Sequence, residues 1–177
     1  MVERIRVATR WENRAAAAQL DGIWDLFASQ LGRHRETEDW AVDTMEAVAA
    51  EVGAALRISQ GLAASRLRYA RAMRERLPKV AELFRAGEIG FLLFATIVFR
   101  TDLIEDPALM ARVDAELAAN VTRWPSMSRG RLAGAIDKIV VSADRDALRR
   151  RVQSNADRQV DISERTDGLC ELAGTVF

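Results

Sequence analysis

Apolar positions recur every three or four residues along most of this chain, and the period changes to two only near its C-terminus. From about Ala8 to Leu31 the residues Trp11, Ala15, Ala18, Ile23, Leu26, Phe27 and Leu31 share one stripe. That spacing predicts a long amphipathic helix, with Gly32 as its stop. Arg33 to Glu38 is a polar connection, and Glu38 or Asp39 can cap a second helix that turns Trp40, Val42, Met45, Val48, Ala49 and Val52 toward a core. This second pattern runs to Ala55. A short turn, Leu56-Arg57-Ile58, follows, and Ser59 stands where a side-chain oxygen would accept the first free N–H groups of a third helix. The third helix carries Ala63, Leu67, Ala70, Met73 and Leu77 on one stripe.

Pro78 ends that pattern, and Val80, Leu83 and Phe84 make a short helix that Ala86-Gly87-Glu88 closes. The next segment, IGFLLFATIVF, is apolar almost all round, which predicts a central helix near residues 88–100 with Phe91, Leu92, Phe94, Ile97 and Phe99 buried among the others. Asp106-Pro107 is a cap followed by proline at the first helical position, opening a helix with Leu109, Val113, Leu117 and Val121 that runs to Trp124 and breaks at Pro125. Ser126 or Ser128 then caps a helix with Leu132, Ala133, Ile136, Ile139 and Val140. A thinly apolar helix from Asp144 to about Arg158 comes next, resting on Ala147, Leu148 and Val152. Val160 and Ile162, the turn Thr166-Asp167-Gly168 and the run Leu169 to Phe177 read as a β-hairpin. The expected fold class is therefore all-α, a bundle of seven or eight helices with a central apolar helix and a short C-terminal β-hairpin. Residues 1–158 form the helical domain, with a helix-turn-helix-like segment at 43–77, and residues 159–177 form the short β element.

Composition narrows the class without naming a chemistry. With 177 residues and 49% hydrophobic content, the chain can build one sizeable core. One cysteine, Cys170, excludes an internal disulfide, and the charged N-terminus MVERIRVATRWENR does not read as a secretory signal, so a cytoplasmic location is expected. The longest uncharged apolar run, Ile89 to Phe99, is eleven residues against the roughly 20 that a spanning helix needs. His34 falls in a polar connection and has neither a second histidine nor a cysteine pair to complete a metal site. No nucleophile–base pair, paired acids, phosphate-binding glycine loop or dinucleotide fingerprint stands out by spacing, so neither an enzyme nor a cofactor or small-molecule substrate is expected.

Charge changes the picture more. The 26 basic and 26 acidic residues cancel, yet they are segregated: Arg57 to Arg76 hold six basic residues against one acidic, and Arg123 to Arg158 nine against four. These blocks could meet in one phosphate-binding face or neutralise the acidic segments between them. A helix, tight turn and helix at 43–77 is the unit that places a reading helix in a DNA major groove, but helical bundles turn corners in the same way. The candidate DNA-contacting residues are Arg57, Ser59, Gln60, Arg66, Arg68, Arg71, Arg129, Arg131, Arg149, Arg150 and Arg151. On a helical wheel Arg68, Arg71 and Arg76 point to different parts of the surface. Arg66 and Arg74 lie at the edges of the apolar stripe, where they could pair with Glu46 or Glu51.

Five segments carry a resemblance over the whole chain: TEDWAVDTMEAVAAEVGAALRISQGLAASRLRYARAMRERLP (Thr37 to Pro78), AGEI (Ala86 to Ile89), IVFRTDLI (Ile97 to Ile104), RWPSMSRGRLAG (Arg123 to Gly134) and DGLCELAGTVF at the end. In these the chain resembles the actinobacterial family called domain of unknown function 222, of the mycobacterial 13E12 repeat type. The resemblance implies a helical region followed by an HNH endonuclease module, a link to mobile elements, and DNA as the partner. HNH chemistry needs metal-binding and general-base histidines, and with only His34 and Cys170 present that module is absent from this sequence. Members of such a family tend to continue past the GTVF-like strand, so Phe177 is expected to be a truncation, and the strand edge left there could promote homo-oligomers. The resulting expectation is a non-catalytic DNA-binding or DNA-targeting module, and its alternative is a protein-interaction or oligomerisation scaffold.

Overall fold

A computed structural model of the chain describes residues 1–33 and 41–143, together with the backbone of residues 160–164 and 170–174. Among these residues the body is all-helical: α1 (Val2–Arg33), α2 (Ala41–Leu56), α3 (Gln60–Glu75), α4 (Pro78–Ala86), α5 (Phe91–Thr101), α6 (Pro107–Asn120), a single 3₁₀ turn (Val121–Arg123) and α7 (Arg129–Ala143). Strands β1 (Val160–Glu164) and β2 (Cys170–Gly174) lie antiparallel, with Val160 opposite Gly174. The turn on which the hairpin expectation rests, Thr166-Asp167-Gly168, lies outside the described residues, as do His34, Trp40 and the polar helix expected at 144–158.

The long first helix is present but runs further than its stripe: it starts at Val2 and passes Gly32 to Arg33. Ile23 and Phe27 are buried as expected, and so is Leu20, which lies off the expected stripe; Ala15 and Ala18 are exposed, and Trp11 is 64% exposed, with the Arg14 guanidinium 5.4 Å from its ring centroid. Every residue from 1 to 12 is exposed, and α1 first meets the body closely at Arg10, beside Gly87. In α3 the expected stripe Ala63, Leu67, Ala70 and Met73 is buried, as is Leu77 just beyond it.

The central position does not belong to the most apolar helix. Within α5, Phe94 and Ile97 are fully buried, but Leu92 is 56% and Phe99 54% exposed, so the helix lies at the side of the bundle and shows one edge outward. A run that is apolar all round gives its neighbours no signal about which side they must cover. The centre is instead the nine-residue α4, which packs against α1, α3, α5 and α6. Val80, Ala81 and Phe84 are sealed there, and Phe84 stacks on Phe94 with ring centroids 4.9 Å apart.

Isolated helices this short do not persist in water, because nucleation outweighs the few bonds gained. Other helices hold α4 at both ends. Its preceding residue, Leu77, has no capping side chain, and the carboxylate of Asp114 on α6 takes that role, accepting from the N–H groups of Lys79 (2.9 Å) and Val80 (3.0 Å). At the far end Gly87 adopts φ 80°, and its N–H and that of Glu88 donate to the carbonyls of Phe84 and Leu83. Two α1 side chains then bond the last carbonyls, Asn13 Nδ2 to Gly87 at 3.1 Å and Arg14 Nε to Ala86 at 3.0 Å. A Cβ on Gly87 would come within 2.5 Å of the Arg10 carbonyl, so only glycine lets α1 pass this closely. Arg85 completes the attachment with two bonds to Asp21, at 2.9 and 2.7 Å, and that pairing raises its already high pKa.

Two expectations follow from α4 being the centre and α5 the flank. Phe94→Ala should cost about 3 to 5 kcal/mol, whereas Leu92→Ala should stay below about 1 kcal/mol. Urea unfolding of both variants decides this, and equal losses would return α5 to the centre. The second expectation concerns pH. Burial pushes the Asp114 carboxyl above its ordinary value of 3.8, against the opposing pull of the Val80 and Lys79 N–H groups. A raised acid pKa means that the folded chain holds this proton more tightly than the unfolded one. The titration therefore favours the fold fully below 3.8, and that contribution is lost as pH rises through the folded value. Asp114→Asn removes the titration, so the stability of the wild type minus that of the variant should fall as pH rises over this window; a flat or rising difference contradicts the assignment.

Candidate nucleic-acid interface

Helix α2 ends with Arg57 at φ 55°, the one described non-glycine residue in the left-handed region. The N–H of Arg57 donates to the Ala54 carbonyl at 3.4 Å and that of Ile58 to Gly53 at 3.0 Å, the bond pair that closes a helix on a left-handed residue. Gly53 lies within reach of this turn: a Cβ there would sit 3.2 Å from the Ile58 carbonyl and 3.7 Å from Ala63 Cβ. Ser59 is extended and its Oγ accepts from the Leu62 N–H at 3.3 Å, so α3 opens with the expected cap. The expected turn and cap are therefore in place. Ser59, Gln60, Gly61 and Leu62 are all exposed, so the first turn of α3 is uncovered.

The arginines of this segment do not behave as their helical wheel suggests. Arg66 is half-buried, its guanidinium 4.0 Å from the Phe91 ring centroid, a cation–π contact rather than a bond to Glu46 or Glu51. Glu51 instead accepts from Gln30 Nε2 at 2.7 Å, and Arg74 is exposed. Arg68, Arg71 and Arg76 do not point apart. They line one open groove of about 460 Å³, closed on one side by Met45 of α2 and on the other by Asp102, just past α5, with Glu75 between. Arg71 donates to Glu75 at 3.3 Å and to the Met45 sulfur at 3.8 Å, and its guanidinium lies 5.8 Å from the Phe27 ring centroid. Arg76 bonds the carbonyls of Thr101 and Ile104 and pairs with Asp102 at 3.3 Å, which caps the end of α5. Its place at the C-terminal cap of α3 was the available signal for Arg76, which the list of candidate residues omits.

The second basic block is divided. Arg129 and Arg131 are exposed on the first turn of α7, a helix that packs on α5 and α6, where Asp137 pairs with Arg100. Arg149, Arg150 and Arg151 lie outside the described residues. No group of three or more His, Cys, Asp or Glu able to hold a metal occurs among the described residues, and no helix there is long and apolar enough to cross a membrane.

A family model described as "Domain of unknown function (DUF222)" matches residues 7–177. Among curated proteins, the chain is 38% identical to the uncharacterized protein Rv2100 of Mycobacterium tuberculosis over 180 residues, covering 99% of this chain and 31% of that protein. It is 34% identical to an uncharacterized protein of the est 3' region of M. tuberculosis, covering 100% of this chain and 51% of that one. Against the uncharacterized protein Rv3776 of the same species it is also 34% identical, over 34% of that protein's length. The chain thus spans about a third to a half of these relatives, and no solved structure matches it.

The left-handed Arg57 offers a test of the corner itself. Arg57→Gly should leave stability unchanged or raise it by up to about 1 kcal/mol, because the relief of a Cβ in this region outweighs or balances the added freedom of the unfolded chain. Thermal unfolding of the variant checks this, and a clear loss of stability would mean that the Arg57 side chain holds the turn.

Proposed function

This chain belongs to the domain of unknown function 222 family, and on that footing we propose that it is a non-catalytic DNA-binding or DNA-targeting module of a longer, HNH-endonuclease-associated and mobile-element-linked protein. The observation that carries the reading is the α2–turn–α3 corner, in which a capped reading helix begins with an uncovered turn at Gln60. Ser59 and Gln60 are there to touch base edges. Arg57 and Arg68, exposed on the same unit, supply backbone contacts, with Arg129 and Arg131 as a second exposed pair.

Protein interaction is the second reading, and the first three turns of α1 favour it. Val2 (64%), Ile5 (65%), Val7 (47%) and Trp11 (64%) stand in solvent on a helix segment whose residues are all exposed, as an arm that docks on a partner or a second copy would.

A titration with duplex DNA at two salt concentrations separates the readings. The DNA reading expects binding that weakens steeply with salt, with a slope of about 0.9 per neutralised phosphate. Gln60→Ala should change the preference among sequences more than the strength, and Arg149, Arg150 and Arg151 replaced together by Ala should weaken all duplexes alike. Absence of salt-sensitive binding even at low ionic strength sinks the DNA reading and leaves the scaffold.

A further inference from the structure

We infer that the groove of Arg68, Arg71 and Arg76 is a seat for a phosphate group, beginning at Arg68 about 12 Å along α3 from Gln60 at the helical rise of 1.5 Å per residue. The inference rests on the DNA reading only for the source of that phosphate: a phosphodiester of a nucleic-acid backbone or a free phosphate would satisfy the same chemistry.

Three guanidinium groups face two carboxylates in this groove, leaving one positive charge uncompensated among its lining residues. Their attachments differ in a useful way. Arg76 is fixed by the two carbonyls at the end of α5, so its position costs nothing further when a ligand arrives. Arg71 is held in place by Met45 and Phe27 but poorly satisfied: of its five N–H donors, Glu75 is the one described oxygen partner, and its Nε is buried without an acceptor. Buried donors are almost always bonded, so a buried Nε–H without an acceptor is out of the ordinary, while the remaining donors of this part-exposed side chain are open to the groove. Arg68 is exposed, and its described contact is the Tyr69 ring at 5.6 Å.

Glu75 is the carboxylate that would give way. Its pair with Arg71 spans one helical turn at 3.3 Å with both side chains about two-fifths exposed (39% and 42%), the kind of surface pair that contributes little. Phosphate offers more negative charge and several oxygens, and the arginine fork matches it with two parallel bonds. Glu75 therefore acts as a placeholder that keeps Arg71 turned to the groove until phosphate replaces it. Asp102 stays with Arg76, and no covalent step is involved.

The test uses the chain in a phosphate-free buffer with two probes, inorganic phosphate and a short DNA duplex, followed by the arginine side-chain NMR signals and by affinity. Either probe should shift the Arg68 and Arg71 signals. Arg68→Ala should weaken binding on the order of tenfold, as expected for one charged hydrogen bond. Glu75→Gln should tighten binding several-fold, whereas a merely structural Glu75 would leave it unchanged or weaker. Arg71→Lys, which keeps the charge and loses the fork, should not restore wild-type affinity. Saturation by inorganic phosphate without duplex binding keeps the seat and removes DNA as its source. Duplex binding that is indifferent to Arg68→Ala and Glu75→Gln keeps the DNA reading and overturns the seat. Binding of a polyglutamate peptide with neither phosphate probe bound overturns the seat as well, in favour of an acidic protein segment.

Discussion

The capping of α4 by other helices is the constraint on which the rest of this body depends. A nine-residue helix gains too few bonds of its own to persist alone, so the groups at its two ends must be held from outside. Its own sequence supplies proline at the start and glycine after the end, but no side-chain cap. Asp114 from α6 and Asn13 and Arg14 from α1 complete it, so α1, α4 and α6 are fixed in register by hydrogen bonds as well as by packing. Once α4 is placed, Phe84 fixes Phe94 and hence α5, and the end of α5 holds Arg76.

That chain of dependence reaches the candidate site. The groove exists because α5 ends beside the last turn of α3, where Arg76 donates to the Thr101 and Ile104 carbonyls. Met45 of α2 closes the other side, and α2 is placed by the turn at Arg57. Loosening α4 would therefore be felt at a surface it does not touch.

Much of this fold was legible in the residues. Asp106-Pro107, Ser59 and Ala86-Gly87 signal helix ends through local chemistry, and the structure ends or starts helices at all three. What the residues did not reveal was tertiary. An all-apolar segment reads as central, but α5 shows Leu92 outward because burial depends on which neighbours arrive. Likewise Arg68, Arg71 and Arg76 span about 140° of a helix at 3.6 residues per turn and read as dispersed. Walls contributed by α2 and the end of α5 gather them into one groove. The role of Asp114 left a trace that could have been followed: it shares a stripe with Met110, Leu117 and Val121, an acid where the pattern demands an apolar residue, while Leu77-Pro78 opens a helix with no cap of its own.

Amide hydrogen exchange at Lys79 and Val80 tests the central claim most directly. Donors in the first turn of a helix ordinarily exchange freely, because nothing within the helix accepts from them. If Asp114 clasps them as described, both amides should exchange only through global unfolding, alongside those of the buried middle of α3. Exchange at both positions as fast as in the exposed first turns of α1 would contradict the account.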